Sequence, residues 1–219
     1  MMDMKLYTAD ISPNCRRVEA VLHHLGLYDE VEVCRLNLLA GEHLSSDLST
    51  SNPNGKVPTL VAGDMNLWEA NPTMIYLCDR AGAEGFCPTD AKSRFEILRW
   101  MSWEAQHYNR AIAEITWETM VKPLFGLGDP DETRIETASQ NFHRFAGVLN
   151  SHLEERAYML GGSITVTDFA VGAFSALVSS PQSRVPLDDY TNVTAWYQRL
   201  EAMPAWAATA PTRLMEAAE

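Results

Sequence analysis

The hydrophobic and polar positions of the N-terminal part alternate in two short stretches that flank a helical pattern. The first alternating stretch, Met4 to Thr8, predicts a strand. Apolar residues then recur at helical spacing from Pro13 or Asn14 to Leu25, where Gly26 is placed to end the helix. Glu30 to Leu36 alternates again and predicts a second strand. Parallel pairing of these strands would form a right-handed βαβ unit.

The pattern continues with a polar connector, a turn, a hairpin and a helix. The connector runs from Leu39 to Ser51, includes a short helix around Leu44 to Leu48, and leads into Asn52-Pro53-Asn54-Gly55. The predicted hairpin pairs Pro58 to Ala62 with Met65 to Trp68. The next helix is predicted to take Asn71 as its N-cap, Pro72 as its first residue and Gly82 as its end. The order βαβ, short helix, ββα predicts an α/β thioredoxin-like N-terminal domain.

Periodicity is lost at residues 83–91, which we interpret as a linker, and the rest of the chain is helical in pattern. We therefore predict a thioredoxin-like domain at residues 1–82 and an all-α helical domain at residues 92–219. Thr165 to Asp168 forms a capping box in which Asp replaces Glu. The predicted amphipathic helices are Ser93 to Met120, Asp131 to Arg156, Thr167 to Ser179 and Thr191 to Met203.

Charge and composition limit the classes of partner. The 219 residues include 29 acidic and 17 basic ones, and the net charge of −12 argues against nucleic acid or an anionic membrane as partner. We expect a soluble, cytoplasmic protein, because the N-terminus lacks a basic segment followed by an apolar core. The four cysteines show no metal-binding or Cys-x-x-Cys spacing, and no metal is expected.

Val57-Pro58 stands at the entrance of a predicted strand, where a proline cannot donate to the ladder. A cis bond there would turn the N–H and C=O of Val57 outward. Those two groups could hold another peptide as one more extended strand. The segment therefore predicts a peptide-binding edge.

The turn after the first strand carries the second candidate for chemistry. In thioredoxin-type proteins this turn holds two cysteines, but here Ser12 occupies the first position and only Cys15 remains. Ser12 either caps the first helix or donates a hydrogen bond to a thiolate supplied by a ligand. Cys15 is expected to be a buried residue that packs in the core. Of Arg16 and Arg17, one at most is expected to face the site and the other to be a solvated surface charge.

Four motifs together resemble the cytosolic glutathione transferases, in a serine-type form similar to the theta-like and related bacterial classes. The resemblance extends along nearly the whole chain and implies the glutathione transferase architecture, a homodimer and a role in detoxification. The motifs are Ser-Pro-Asn-Cys-Arg-Arg-Val at 12–18, Gly-Glu-His-Leu at 41–44, Asn-Pro-Asn-Gly-Lys-Val-Pro-Thr-Leu at 52–60 and Leu-Trp-Glu-Ala-Asn at 67–71.

The resemblance implies glutathione as co-substrate and assigns residues to its parts. Ser12 would hydrogen-bond the sulfur, Val57 beside cis-Pro58 would pair with the cysteinyl unit, and His43 and Lys56 would reach the glycyl carboxylate. Family members usually have serine or threonine where this chain has Ala70, so weaker glutathione binding is expected. The full predicted binding set is Asn14, His43, Lys56, Val57, Pro58, Glu69 and Ala70.

In the helical domain, Trp103, His107 and Arg110 are spaced to share one helical face. They are either core residues or, as the resemblance implies, part of a pocket for a small hydrophobic electrophile. Three other functions stay open. A non-catalytic binding or assembly module would be favoured by Ala70, a glutathione-dependent dehalogenase, isomerase or peroxidase would share every residue, and a thiol oxidoreductase would need an exposed Cys15.

Overall fold

β1, at Met4–Thr8, is an inner strand of a mixed sheet in the computed structural model of the chain. β2 (Val31–Arg35) pairs with it in parallel, and β3 (Thr59–Ala62) pairs with its other side in antiparallel fashion. β4 (Met65–Trp68) completes the order β2-β1-β3-β4 by antiparallel pairing with β3. The predicted βαβ unit and hairpin are thereby confirmed. Four of the five residues of β1 are buried, so both faces of this inner strand contribute to the core.

The structure describes residues 3–44 and 46–210, which divide into two units. One unit extends through Cys87 and includes the segment that begins at Pro204, and the other is Pro88–Met203. The helices are α1 (Pro13–Leu25), α2 (Ser46–Ser51), α3 (Ala70–Ala81), α4 (Ala91–Trp103), α5 (Asn109–Thr116), α6 (Lys122–Leu124), α7 (Glu132–His152), α8 (Val166–Val171), α9 (Ser175–Val178), α10 (Thr191–Glu201) and α11 (Pro204–Ala207). Short 3-10 helices lie at Tyr28–Glu30, Glu42–Leu44 and Pro181–Ser183, and π-helical turns lie at Glu104–Tyr108 and Trp117–Val121.

α1 begins and ends as its sequence predicts. Ser12 is the N-cap, Pro13 is the first helical residue, and Gly26 adopts the left-handed conformation at φ 69° that closes the last turn. α1 packs against α3 and α11, and its apolar side chains contribute to the core of the first unit. The buried residues of that core include Leu6, Val18, Val21, Leu22, Leu60, Met74 and Leu77.

The start of α3 differs from the prediction. The helix begins at Ala70 with Glu69 as N-cap, two residues before the expected Asn71 cap. The Asn71 side chain is used elsewhere, because its amide oxygen accepts a hydrogen bond from Arg17 at 3.1 Å. Tertiary pairing therefore replaces the local cap that the Asn-Pro signal predicts.

The expected surface arginine is also corrected, since Arg16 and Arg17 are both buried. The Arg16 guanidinium lies 4.6 Å from the centre of the Trp206 ring and donates to the Trp206 carbonyl at 3.2 Å. This contact attaches α11 to α1, which explains why the segment from Pro204 belongs with the first unit. The predicted division had placed that segment in the helical domain.

The capping box at the start of α8 is the clearest local feature of the second unit. Asp168 is fully buried, and its carboxylate accepts from the N–H groups of Thr165 at 2.9 Å and Met159 at 2.8 Å and from Trp196 Nε1 at 2.9 Å. Burial raises the pKa of Asp168 to about 6, and these hydrogen bonds oppose the rise. The network attaches α8 to α10 through Trp196. The predicted capping box is confirmed.

Candidate functional site

One edge of the sheet collects three of the predicted site segments. Thr59, the first residue of β3, pairs with Tyr7 on one side and with Trp68 on the other. The segment after β1, the Val57-Pro58 segment before β3 and Glu69 after β4 therefore emerge at the same edge. Strand register, which sequence spacing alone does not give, brings them together.

Ser12 acts as a helix cap in the structure. Its Oγ accepts a hydrogen bond from the N–H of Cys15 at 3.3 Å. A hydroxyl has one donor hydrogen and two acceptor lone pairs, so accepting in the cap leaves the hydrogen available to donate. The two readings of Ser12 are thus compatible, and the helix N-terminus adds partial positive charge at the same place.

Cys15 lies one turn inside α1 and is completely buried, as expected. Burial raises the pKa of its thiol to about 11, and side-chain hydrogen bonding with Ser12 and Thr8 opposes the rise. A neutral, inaccessible thiol is a poor nucleophile. The structure gives no support to the thiol oxidoreductase alternative, which needs an exposed Cys15.

The turn before β3 is ordered by a buried side chain that the sequence did not single out. The Asn52 side-chain amide donates to the Lys56 carbonyl at 2.8 Å and to Thr59 Oγ1 at 3.0 Å. Its amide oxygen accepts from the N–H of Asn54 at 2.9 Å. The Asn-Pro-Asn-Gly spacing was the available signal, because asparagine at the first position of a turn bonds backbone two residues on.

Val57 follows this turn, and the Val57-Pro58 peptide bond is cis. Neither the N–H nor the C=O of Val57 has a hydrogen-bond partner among residues 3–44 and 46–210. Lys56, immediately before it, has an exposed side chain. The backbone of Val57 is thus free to pair with an extended guest.

His43 lies in the 3-10 turn that packs over the same segment. A Cβ on Gly55, whose φ is +59°, would stand 3.7 Å from the His43 carbonyl oxygen. The His43 ring is half-buried, and its Nδ1 has no hydrogen-bond partner within the described part of the chain. A buried ring nitrogen without a hydrogen-bond partner in the protein favours a hydrogen bond with a bound ligand.

The N-terminus of α3 is built differently from that of α1. Glu69 has φ 69° and ψ 126°, a conformation that costs a non-glycine residue free energy, and its exposed side chain makes no cap bond. Thr73 Oγ1 supports the turn by donating to the Glu69 carbonyl at 2.9 Å. The N–H of Ala70 lies at the positive end of the α3 dipole and has no partner among the described residues.

In the helical unit, the structure divides the three predicted pocket residues between two surroundings. Trp103 is half-buried and stacks on Tyr108 with ring centres 5.7 Å apart. His107 is exposed and stacks on Phe145 at 4.8 Å, a ring that Trp103 also contacts edge-on at 6.2 Å. Arg110 is exposed and pairs with Glu114 at 3.0 Å. Trp103 and His107 therefore share one aromatic cluster, from which Arg110 is separate.

Arg110 instead lines a groove of about 480 Å³ within the helical unit. Trp117, 45% exposed, forms part of its wall, and Arg134 from α7 reaches it from the other side. The signal for Trp117 was available, because it follows Arg110 by seven residues along the regular helix α5, whereas the π-helical turn at Glu104–Tyr108 separates Arg110 from the face of Trp103.

Metal and membrane features are absent from the part of the chain that the structure describes. Over residues 3–44 and 46–210, His, Cys, Asp and Glu side chains form no group of three or more that could hold a metal ion. No helix in the same ranges combines the length and apolar character needed to cross a membrane.

Two family models and several relatives match the chain. Residues 6–85 match the N-terminal domain of glutathione S-transferase, and residues 108–204 match its C-terminal domain. A probable glutathione S-transferase GSTF2 from Oryza sativa subsp. japonica is 32% identical over 206 residues, which cover 94% of each chain. The chain belongs to the glutathione S-transferase family, as the four motifs indicated.

Solved structures agree with this membership. Glutathione transferase F7 from Populus trichocarpa superposes with a TM-score of 0.84 at 27% identity, over 94% of this chain and 97% of that one. Glutathione S-transferase I from maize, in complex with an atrazine glutathione conjugate, gives a TM-score of 0.83 at 26% identity and covers 98% of both chains. The predicted architecture of a thioredoxin-like domain followed by a helical domain is confirmed.

Proposed function

We propose that this protein is a glutathione transferase that stabilises the glutathione thiolate at Ser12 for attack on a small hydrophobic electrophile. The observation that carries the proposal is the shared sheet edge, where the Ser12 cap, the free backbone of Val57 and the free N–H of Ala70 emerge together. An extended tripeptide matches three such groups along one edge. Its relatives' names and the maize conjugate complex support the same activity.

Each part of glutathione has a proposed partner. The sulfur accepts from Ser12, the cysteinyl unit pairs with the Val57 backbone beside Pro58, and the γ-glutamyl end meets Glu69 and the Ala70 N–H. The unpaired Nδ1 of His43 supports a role at the glycyl carboxylate, which Lys56 and its exposed ammonium would share. Asn14, in the first turn of α1, completes the proposed binding set.

The proposed chemistry is activation of a bound thiol. A thiol of pKa about 8.5 is only about 3% ionised at pH 7. A hydrogen bond from Ser12 and the positive end of α1 would lower that pKa by roughly two units, within the range for thiolates at helix N-termini. The thiol proton leaves to solvent, the sulfur lone pair forms the new bond to the electrophilic atom, and the leaving group departs with its electron pair.

We propose that the electrophile binds to the aromatic surface of the helical unit, where it contacts Trp103, His107 and Arg110. The Trp103 and His107 rings meet at Phe145, whereas Arg110 and Trp117 line the 480 Å³ groove. Such surfaces favour planar apolar groups. Their contribution is tested by whether His107→Ala or Trp117→Ala raises the KM for the electrophile while leaving the KM for glutathione unchanged.

Finer assignments are part of the proposal. We propose a serine-type enzyme, on the ground that Ser12 holds the first position of the turn, and keep the theta-like or related bacterial class as a prediction. Two of the relatives reported above, GSTF2 from Oryza sativa subsp. japonica and glutathione transferase F7 from Populus trichocarpa, are plant proteins with the letter F in their names. A cytoplasmic location and a homodimer also stay predictions, and light scattering at micromolar concentration tests the dimer.

Calorimetry with glutathione and turnover of a chloronitrobenzene together test the function. Binding below millimolar concentration with glutathione-dependent turnover is the expected result, and Ser12→Ala should lower kcat/KM strongly. Asp90→Ala is the matched control, because Asp90 caps α4 through the same type of bond, to the N–H of Ser93 at 3.0 Å. No binding would overturn the proposal. Binding without turnover would favour the non-catalytic module that Ala70 suggests.

A further inference from the structure

An arginine at the end of β2 contacts both α1 and the turn that carries Ser12. Arg35 is in register with Thr8, the last residue of β1, so both side chains leave the same face of the sheet. The guanidinium donates from Nη1 to Asp10 Oδ1 at 2.5 Å and from Nη2 to Glu19 Oε2 at 2.8 Å. Because its donors form a rigid planar fork, these two bonds hold Asp10 and Glu19 at a set spacing.

Glu19 anchors this cluster in the interior of the first unit. It lies in α1, is only 5% exposed, and accepts from Thr8 Oγ1 at 2.5 Å as well as from Arg35. A buried carboxylate needs hydrogen bonds and an opposite charge to offset its lost hydration, and Thr8 and Arg35 supply both. Arg35 Nη2 also donates to the Tyr28 hydroxyl at 3.0 Å. The guanidinium is therefore held by several partners, although the side chain of Arg35 is 41% exposed.

Asp10 lies inside the turn between β1 and α1. The N–H of Ser12 closes this turn by donating to the Ala9 carbonyl at 3.1 Å. Asp10 stands between these two residues, so its bond to Arg35 attaches the turn to β2 two positions before the cap. Loss of that bond would allow the Ser12 hydroxyl to shift while α1 stays folded, because the cap and the helix have hydrogen bonds of their own.

The other proposed glutathione contacts lie on different elements. Val57 precedes β3 and Ala70 begins α3, whereas the partners of Arg35 lie in α1, the turn before it and the 3-10 helix at Tyr28–Glu30. A displacement of about 1 Å in a group that serves the reaction can lower a rate by up to about 100-fold. A change at Arg35 should therefore affect thiol activation more than affinity for the tripeptide.

We propose that Arg35 is a positioning residue for the transferase reaction, which holds the Ser12 hydroxyl in place by binding Asp10 in the turn and Glu19 in α1. The inference rests on the proposed function. It assigns to the end of β2 a role in the rate of the reaction, exercised through the turn and without contact with glutathione.

The test compares kcat with a chloronitrobenzene and the dissociation constant for glutathione measured by calorimetry. Arg35→Met and Asp10→Ala should each lower kcat by about tenfold and change the dissociation constant by less than about threefold. The double variant should lose no more than either single one, because both remove the same contact. Asp10→Asn keeps an acceptor oxygen for Arg35 and should restore most of the kcat that Asp10→Ala loses.

Lys5→Met is the matched control. Lys5 pairs with Glu32 at 3.1 Å across the same two strands, toward their opposite end, so this variant removes an ion pair between β1 and β2 without touching the turn. It should leave kcat and the dissociation constant at their native values.

Each variant is first shown to fold by urea unfolding. A cavity of about 280 Å³ adjoins Asp10, Glu19 and Arg35, which gives water access to the two acids when the arginine is removed. If Arg35→Met still does not fold, the two substitutions at Asp10 decide the question, since they leave the bond between Arg35 and Glu19 intact.

A kcat of folded Asp10→Ala within about twofold of native would overturn the inference, and so would an equal loss in Asp10→Ala and Asp10→Asn. A loss of the same size in Lys5→Met would also overturn it, because the effect would then belong to strand pairing in general. Failure of the proposed function is a different result, in which the native protein neither binds nor turns over glutathione.

Discussion

The helices α1 and α3 begin at the same sheet edge but by different means. α1 has a side-chain cap, since Ser12 Oγ accepts from Cys15, and a proline as its first residue. α3 has no side-chain cap, follows an N-cap residue with φ 69°, and has no partner for its Ala70 N–H among residues 3–44 and 46–210. The comparison indicates that local sequence completes the thiol end of the site, while the γ-glutamyl end leaves backbone donors for a ligand to use.

The largest expected effect comes from the cap residue of α1. Ser12→Asp keeps a cap acceptor but offers no hydroxyl donor, so it should fold with nearly native stability and lose roughly 100-fold in kcat/KM for glutathione. Ser12→Ala should lose a similar factor and also about 1 kcal/mol of unfolding free energy.

Urea unfolding measures the stability of the Ser12 variants, and initial rates measure their kcat/KM. An aspartate variant with near-native rates would show that Ser12 serves the helix alone.

At α3, the strongest test is a substitution that is expected to tighten glutathione binding. Ala70→Ser restores the hydroxyl usual in the family, and one added hydrogen bond to a charged group should tighten glutathione binding by about tenfold or more. Calorimetry measures the change, and Ala81→Ser at the exposed end of the same helix is the control. An unchanged dissociation constant for Ala70→Ser would place the γ-glutamyl group elsewhere.

A smaller effect is expected from the backbone of Glu69. Glu69→Gly relieves the positive φ and should raise the free energy of unfolding by about 1 kcal/mol, while glutathione binding weakens because the carboxylate is lost. Glu69→Gln keeps the strain and removes the charge, so it should weaken binding at unchanged stability. Equal stability of all three proteins would contradict the idea that strain is held at this terminus.

The effect expected to be smallest at neutral pH concerns Cys15, and it develops only at alkaline pH. Its pKa is raised to about 11 in the folded protein by burial, above the usual value of 9.0. Between these values the unfolded chain loses the proton first, so native stability should fall as pH rises, by up to about 1.4 kcal/mol per pH unit. The free energies of unfolding of the native protein and of Cys15→Ala, measured by denaturant titration, should therefore converge above about pH 9. Parallel pH dependences of the two free energies would mean that Cys15 has the same pKa in the folded and unfolded states.

Local patterns were sufficient where the deciding interactions are local. Alternation gave β1 and β2 within a residue of their ends, and the Ser12 cap and the capping box at Asp168 follow from side chains three residues from their partners. Asn71 shows the limit of such reasoning. Its cap signal was valid locally, but Arg17, fifty-four positions away, takes its amide oxygen.

The amino-acid sequence by itself determined the family, the order of elements and the candidate residues, because motifs and periodicity depend on near neighbours. Tertiary structure alone decided which of these residues meet. Strand register brings Ser12, Val57 and Glu69 to one edge, burial makes Cys15 inert, and packing turns both arginines inward. Register, burial and packing depend on residues far apart in the chain, so no single stretch of sequence contains them.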